Sequence, residues 1–127
     1  MRELQQRIIA QQGVLPEIDP AAEVERRVAF AGDIEITLEA NPGTFEKERF
    51  RAYRHAGVTR LSIGVQSFDD RFLQALGRVH DGAQARAAVQ EAAEAFETFN
   101  LDIMYALPGQ TEADLVRDLE TALGFHP

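Results

Sequence analysis

Ile34-Glu35-Ile36-Thr37-Leu38-Glu39, running on into Ala40-Asn41-Pro42-Gly43-Thr44, sets the fold of this chain. Apolar and polar residues alternate with a period of two, the pattern of a strand with one polar face and not of a helix. Asn41-Pro42-Gly43 is turn chemistry, and it predicts that a helix starts near Thr44. The same arrangement returns at Arg60 to Gln66, where Leu61, Ile63 and Val65 alternate with Ser62, Gly64 and Gln66. It returns again where Leu101, Ile103 and Tyr105 make a third alternating strand, followed by Leu107-Pro108-Gly109-Gln110.

Helical signals fill the intervals. Phe50 and Tyr53 form the inward face of the helix opened near Thr44, which Gly57 closes. Ser67 with Asp70 three residues on predicts an N-cap and a brief helix to about Leu76. Asp81 and Gln84 stand in the same relation, and Ala85, Val89, Ala92, Ala93 and Phe96 give residues 82–97 an apolar face. Thr111 and Asp114 cap a last helix whose Leu115, Leu119 and Leu123 recur every fourth residue before Gly124. Residues 34–124 are thus three successive strand-helix units.

Upstream, Arg2 to Gln12 reads as a helix with Leu4, Ile8 and Ile9 as a thin apolar stripe, ended by Gly13. Asp19-Pro20 opens a second helix over Ala21 to Ala31, with Val24, Val28 and Phe30 available for burial. The expected organisation is a helical segment at residues 1–32 and an α/β domain at residues 33–127. Strands alternating with helices imply a parallel sheet with right-handed crossovers. Each strand keeps a polar or small face, so a partial TIM-like (β/α) barrel with a polar lumen fits better than an open sheet buried on both sides. Three units do not close a barrel, which leaves an open half-barrel with exposed edges or a piece of a longer protein.

Composition narrows the function. The 127 residues are 45% hydrophobic, one domain's worth of chain, and carry a net charge of −8. That charge argues against nucleic acid and anionic membrane surfaces, which recruit Lys and Arg. No apolar run approaches the roughly 18 to 20 residues of a membrane span, and the first twelve residues lack the apolar core of a signal peptide, so a cytoplasmic protein is expected. There is no cysteine, which excludes disulfides, Cys-held zinc and a Cys-ligated iron-sulfur cluster within this polypeptide.

If the apolar strand residues face the helices, Glu39, Gln66 and Asp102 point the other way, into the lumen. Glu39 and Gln66 end their strands, where sites on such folds are built. Asp102 lies near the start of its strand unless that strand begins earlier. Each also has a plainer reading: a solvated strand end for Glu39, a loop-bonding amide for Gln66, a carboxylate held by backbone donors for Asp102. Arg78, after Gly77, is an exposed loop arginine or a fork for a carboxylate ligand, and His80 is an ordinary loop histidine, a titrating group or a metal ligand. His55 and His126 have no context beyond surface. Phosphate loops, nucleophile elbows and His pairs at metal spacing are missing. An acidic and amide lining suits the ribose hydroxyls and ammonium group of a small polar ligand.

Four blocks in order carry a family resemblance: Thr37 to Gly43, Arg60 to Phe68, Leu76-Gly77-Arg78-Val79-His80, and Leu101 to Thr111. Together they resemble the radical S-adenosylmethionine proteins of the HemN/HemW group, which holds oxygen-independent coproporphyrinogen III oxidases and heme chaperones, with the likeness closer to the HemW side. The resemblance covers residues 33–127 and implies a partial (β/α) barrel that binds S-adenosylmethionine beside a 4Fe-4S cluster, in a parent protein that handles heme or porphyrin. It implies that Glu39 sits near the methionine amino group, that Gln66 and Asp102 hold ribose hydroxyls, and that Arg78 pairs with the methionine carboxylate. The chain departs from the group in lacking its CxxxCxxC loop, its GGGTP turn and the domain that follows the barrel, and residues 1–32 do not look like the group's corresponding region. Without cluster ligands the chain alone is expected to be inactive in radical chemistry. The expectation is a central fragment of such a protein; the rivals are a non-catalytic nucleoside or S-adenosylmethionine binding module and a truncated product with no function of its own.

Overall fold

The computed structural model describes residues 6–9, 20–44 and 47–127. Strands β1 (Gln6–Ile9), β2 (Ile36–Ala40), β3 (Arg60–Gln66) and β4 (Thr98–Ile103) form one open sheet in the order β1-β2-β3-β4. All neighbours are parallel, with Leu38 beside Leu61 and Leu61 beside Phe99. The helices are α1 (Pro20–Glu25), α2 (Lys47–His55), α3 (Asp70–Ala75), α4 (Gly82–Ala95) and α5 (Glu112–Leu123), with a 3-10 turn at Pro42–Thr44.

Strand β3 shows the predicted alternation most clearly: Leu61, Ile63 and Val65 are buried, and Arg60, Ser62, Gly64 and Gln66 between them are half-exposed. The buried set joins Leu38, Phe50, Val58, Ala85, Val89, Ala92, Phe96 and Phe99 in the core between the sheet and its helices. Tyr53 packs against that core as expected. Burying the Val, Leu, Ile and Phe side chains of this set contributes about 1.5–3 kcal/mol each. At the start of α4 a Cβ on Gly82 would fall 2.2 Å from the Phe68 carbonyl oxygen, so no larger residue fits that junction.

Several sequence expectations are corrected. The helix read over Arg2 to Gln12 is contradicted at Gln6–Ile9, which form β1 and pair with Gln6 beside Ile36; the rest of that stretch lies outside the described residues. The sheet therefore begins upstream of residue 33, because pairing with the edge of β2 satisfies backbone groups that an isolated short helix leaves to water. Helix α1 starts at Pro20 as predicted but stops at Glu25, and Val28 stays 45% exposed, so only Phe30 of the later apolar residues packs on the core. Strand β4 starts at Thr98 and ends at Ile103, leaving Tyr105 outside it and exposed. Phe96 is already extended (φ −128°, ψ 139°), and the buried Phe99 beside Leu61 anchors the strand earlier than alternation alone suggests.

The cap of α3 is Asp69, which accepts the Arg71 N–H at 2.9 Å, and not Ser67. Ser67 is drawn elsewhere: its hydroxyl donates to Asp118 Oδ2 at 2.5 Å. Capping boxes at Asp81/Gln84 and Thr111/Asp114 form as predicted. The inward face of α5 does not: Asp114, Asp118 and Ala122 are buried, while Leu119 and Leu123 are exposed. Asp118 also accepts the Phe68 N–H at 2.9 Å, and Asp114 is held by Arg71, Arg117 and Thr111.

Candidate functional site: the polar face of the sheet

The sheet face turned away from the helices carries Glu39 on β2, Ser62, Gly64 and Gln66 on β3, and Asn100 and Asp102 on β4. Register fixes this grouping, since Glu39 is opposite Ser62 and Ser62 is opposite Asn100. Because β4 starts at Thr98, Asp102 stands one residue from its C-terminal end, alongside the strand ends that carry Glu39 and Gln66. The early strand start removes the awkward placement that the sequence suggested.

Two of the four expected site residues border the open space over Gly64. A Cβ built there would lie 3.3 Å from Gln66 Nε2 and 3.7 Å from an Arg78 guanidinium nitrogen, so the missing side chain makes room for both groups. Arg78 reaches this place because Gly77 closes α3 with φ 67°. The Gly77 N–H bonds the Gln74 carbonyl at 3.0 Å, the Arg78 N–H bonds the Leu73 carbonyl at 2.9 Å, and the chain doubles back toward β3. The Arg78 guanidinium then donates to the Gly64 carbonyl at 3.4 Å. Pairing between β3 and β4 breaks between Ile63 and Gln66, so the carbonyls at that break are within reach of the loop that follows α3.

Asp102 belongs to a second cluster. Asn100 Nδ2 donates to Asp102 Oδ1 at 2.9 Å and to Ser62 Oγ at 3.2 Å, and the Ser62 hydroxyl lies 3.5 Å from Asp102 Oδ2. The two neighbours orient the carboxylate and leave its outer lone pairs open, a geometry suited to a vicinal diol. Glu39 flanks β3 on the opposite side, one strand spacing away. The face thus presents a forked cation and an amide between two carboxylates, donors and acceptors that match a zwitterionic amino acid at one end and a ribose at the other.

Sequence reading missed Ser62 and Asn100 as partners of Asp102. Ser62 sits in the polar phase of a strand drawn correctly, so alternation held that signal; Asn100 was hidden by the late strand start. His80 proves to be buried, 2% exposed, with Nε2 3.0 Å from the Val65 carbonyl oxygen. Burial, ahead of the opposing Val65 hydrogen bond, holds its pKa below the usual value. Among the described residues no group of three or more His, Cys, Asp or Glu is placed to hold a metal ion. Those residues also include no helix long and apolar enough to cross a membrane.

A separate cleft of about 760 Å³ opens between the first turns of α3 and α4 and the side of α5, lined by Phe68, Asp70, Arg86, Asp114 and Arg117 among others. Its main carboxylates are already engaged by Arg71, Arg117 and Thr111, so it is a weaker candidate.

The parallel strand-helix order and a candidate site at the strand ends define a class, and comparison gives it a name: the chain belongs to the Radical SAM superfamily, matching that family over residues 2–122. Among particular proteins, it is 48% identical over 106 residues to the heme chaperone HemW of Haemophilus influenzae and 46% identical over 105 residues to that of Escherichia coli. Those alignments cover 83% and 82% of this chain but 28% of each relative, so the chain spans little more than a quarter of the curated relatives it matches. Among solved structures, it resembles coproporphyrinogen III oxidase (HemN) from Escherichia coli, described as a Radical SAM enzyme, with a TM-score of 0.73 and 30% identity over 82% of this chain and 24% of that one.

Proposed function

We propose that this chain is the central part of a cytoplasmic HemW-like protein acting in heme handling or porphyrin metabolism, and that residues 33–127 contribute the S-adenosylmethionine-binding wall of a partial (β/α) barrel. The observation that carries the reading is that Gln66 and Arg78 both border the open space over Gly64, on the same sheet face as Glu39 and the oriented Asp102. Arg78 pairs with the ligand's methionine carboxylate, Glu39 takes its ammonium group, and Gln66 and Asp102 hold the ribose hydroxyls. This donor set fits S-adenosylmethionine.

It does not fit a 4Fe-4S cluster, because none of the 127 residues is a cysteine and the cluster is held by thiolates. When bound beside a reduced cluster, S-adenosylmethionine supplies radical chemistry. The residues of this chain bind and orient the ligand, and no redox step is assigned to them.

Calorimetric titration tests the reading. S-adenosylmethionine is expected to bind the chain, and Asp102→Ala or Gln66→Ala to weaken it by about tenfold, the value of one lost hydrogen bond to a polar ligand. Absence of heat and of any thermal shift at millimolar ligand, or unchanged affinity in both variants, overturns it.

A further inference from the structure

His80 is a buried polar side chain that the site leaves unexplained. Its Nε2 lies 3.0 Å from the Val65 carbonyl oxygen, while Nδ1 meets no hydrogen-bond partner among the described residues. A carbonyl only accepts, so the proton is on Nε2 and Nδ1 is a bare acceptor. The same Val65 oxygen also accepts the Ser67 N–H at 2.9 Å. That bond closes a three-residue turn centred on Gln66, whose φ is 69°.

A turn of this hand is sparsely populated by residues other than glycine and persists where its surroundings over-determine it. Two bonds converge here from outside the turn: Met104 N–H to the Gln66 carbonyl at 2.8 Å, and His80 to the carbonyl that closes it. The imidazole is buried, the residue being 2% exposed. The turn sends the Gln66 amide back over Gly64 and toward Arg78.

We propose that His80 is a positioning residue: by donating Nε2–H to the Val65 carbonyl it holds the turn that aims Gln66 at the ribose of the bound ligand. The ligand rests on the reading of the site given above; the hold on the turn does not.

Two near-isosteric variants separate this role from general packing. His80→Gln carries an amide N–H where Nε2 stands, and His80→Asn carries one where Nδ1 stands. In His80→Asn the Ser67 amide is expected to exchange with solvent about tenfold faster and S-adenosylmethionine to bind about tenfold more weakly, with α5 amides unchanged. In His80→Gln both quantities return to within about threefold of the parent chain. A Ser67 amide that exchanges equally slowly in His80→Asn and the parent overturns the proposal. If both variants fail to fold, the imidazole 15N spectrum of the parent decides: an Nε2–H tautomer at neutral pH supports the assignment, and an Nδ1–H tautomer or a charged ring overturns it. A parent chain that binds no S-adenosylmethionine, but whose Ser67 exchange follows the expected pattern, overturns the ligand reading and supports the hold on the turn.

Discussion

Helices α4 and α5 open on the same device, a capping box at Asp81/Gln84 and another at Thr111/Asp114, yet they bury different chemistry. Helix α4 turns Ala85, Ala88, Val89 and Ala92 inward; α5 turns in Asp114, Asp118 and Ala122, and leaves Val116, Leu119 and Leu123 exposed. The cause is what each helix meets. Helix α4 packs on β3, β4 and α2, where its Ala85, Val89 and Ala92 join Leu61, Ile63 and Val65 in one apolar cluster. Helix α5 packs beside β4 and meets the Ser67-Phe68 turn, whose hydroxyl and amide donate to Asp118. A buried carboxylate that accepts hydrogen bonds is stable there, whereas a leucine would leave those donors unsatisfied. Which face of a helix goes inward is therefore set by its neighbour as much as by its own pattern.

The comparison can be broken at Asp118. Asp118→Ala orphans the Ser67 hydroxyl and the Phe68 amide, and is expected to cost about 3 kcal/mol, lowering Tm by roughly 10 °C in thermal unfolding. A loss under about 1 kcal/mol would mean that α5 is held by Ala122 and Phe125 instead. On the other helix, Val89→Ala removes two methyl groups from a site with no exposure and is expected to cost about 2 kcal/mol by denaturant titration. Removing the caps compares like with like: Asp81→Ala and Thr111→Ala are each expected to cost about 1 kcal/mol.

Acid should act on α5 through Asp114. Asp114 is held at a pKa of about 2, below its ordinary 3.8, first by its backbone hydrogen bond from Thr111, then by the Thr111 hydroxyl, with Arg71 and Arg117 adding to the effect. A carboxylate whose pKa is lower in the folded state contributes stability that is complete above the unfolded value and fades as pH falls through the folded one. Stability should therefore decline between about pH 4 and pH 2, and Asp114→Asn should flatten that decline in acid titrations followed by circular dichroism. The smallest effect is expected at Leu119→Gln, within about 0.5 kcal/mol, because the residue is 44% exposed; a large destabilisation would show that the leucine stripe is covered after all.

Much of the candidate site was legible because strands alternate with a period of two. Glu39, Gln66 and Asp102 were separable from the core by counting alone, and Ser62 falls in the same phase. The placement of Asp102 became clear only once β4 was seen to begin at Thr98, since Thr98 to Asn100 look no more strand-like than the end of a helix until Phe99 is set beside Leu61. Arg78 was legible from its family block, but its arrival over Gly64 needed the left-handed Gly77 and the bond to the Gly64 carbonyl. His80 could not be told from a surface histidine, because its burial and its bond to the Val65 carbonyl, 15 residues back in the chain, arise only in the fold.

By itself the sequence determined three things: the order of strands and helices from residue 34 on, the polar phase of those strands, and the absence of any thiolate for a cluster. These are local or compositional, fixed by periodicities, caps and residue type. The tertiary structure decided which short segments extend and which coil, as at Gln6–Ile9, and which face of α5 goes inward. It also decided which polar groups meet across strands, as Asn100 does with Ser62 and His80 with Val65. Those outcomes depend on backbone and side-chain donors brought together from distant parts of the chain, and a buried polar group goes wherever its partner is.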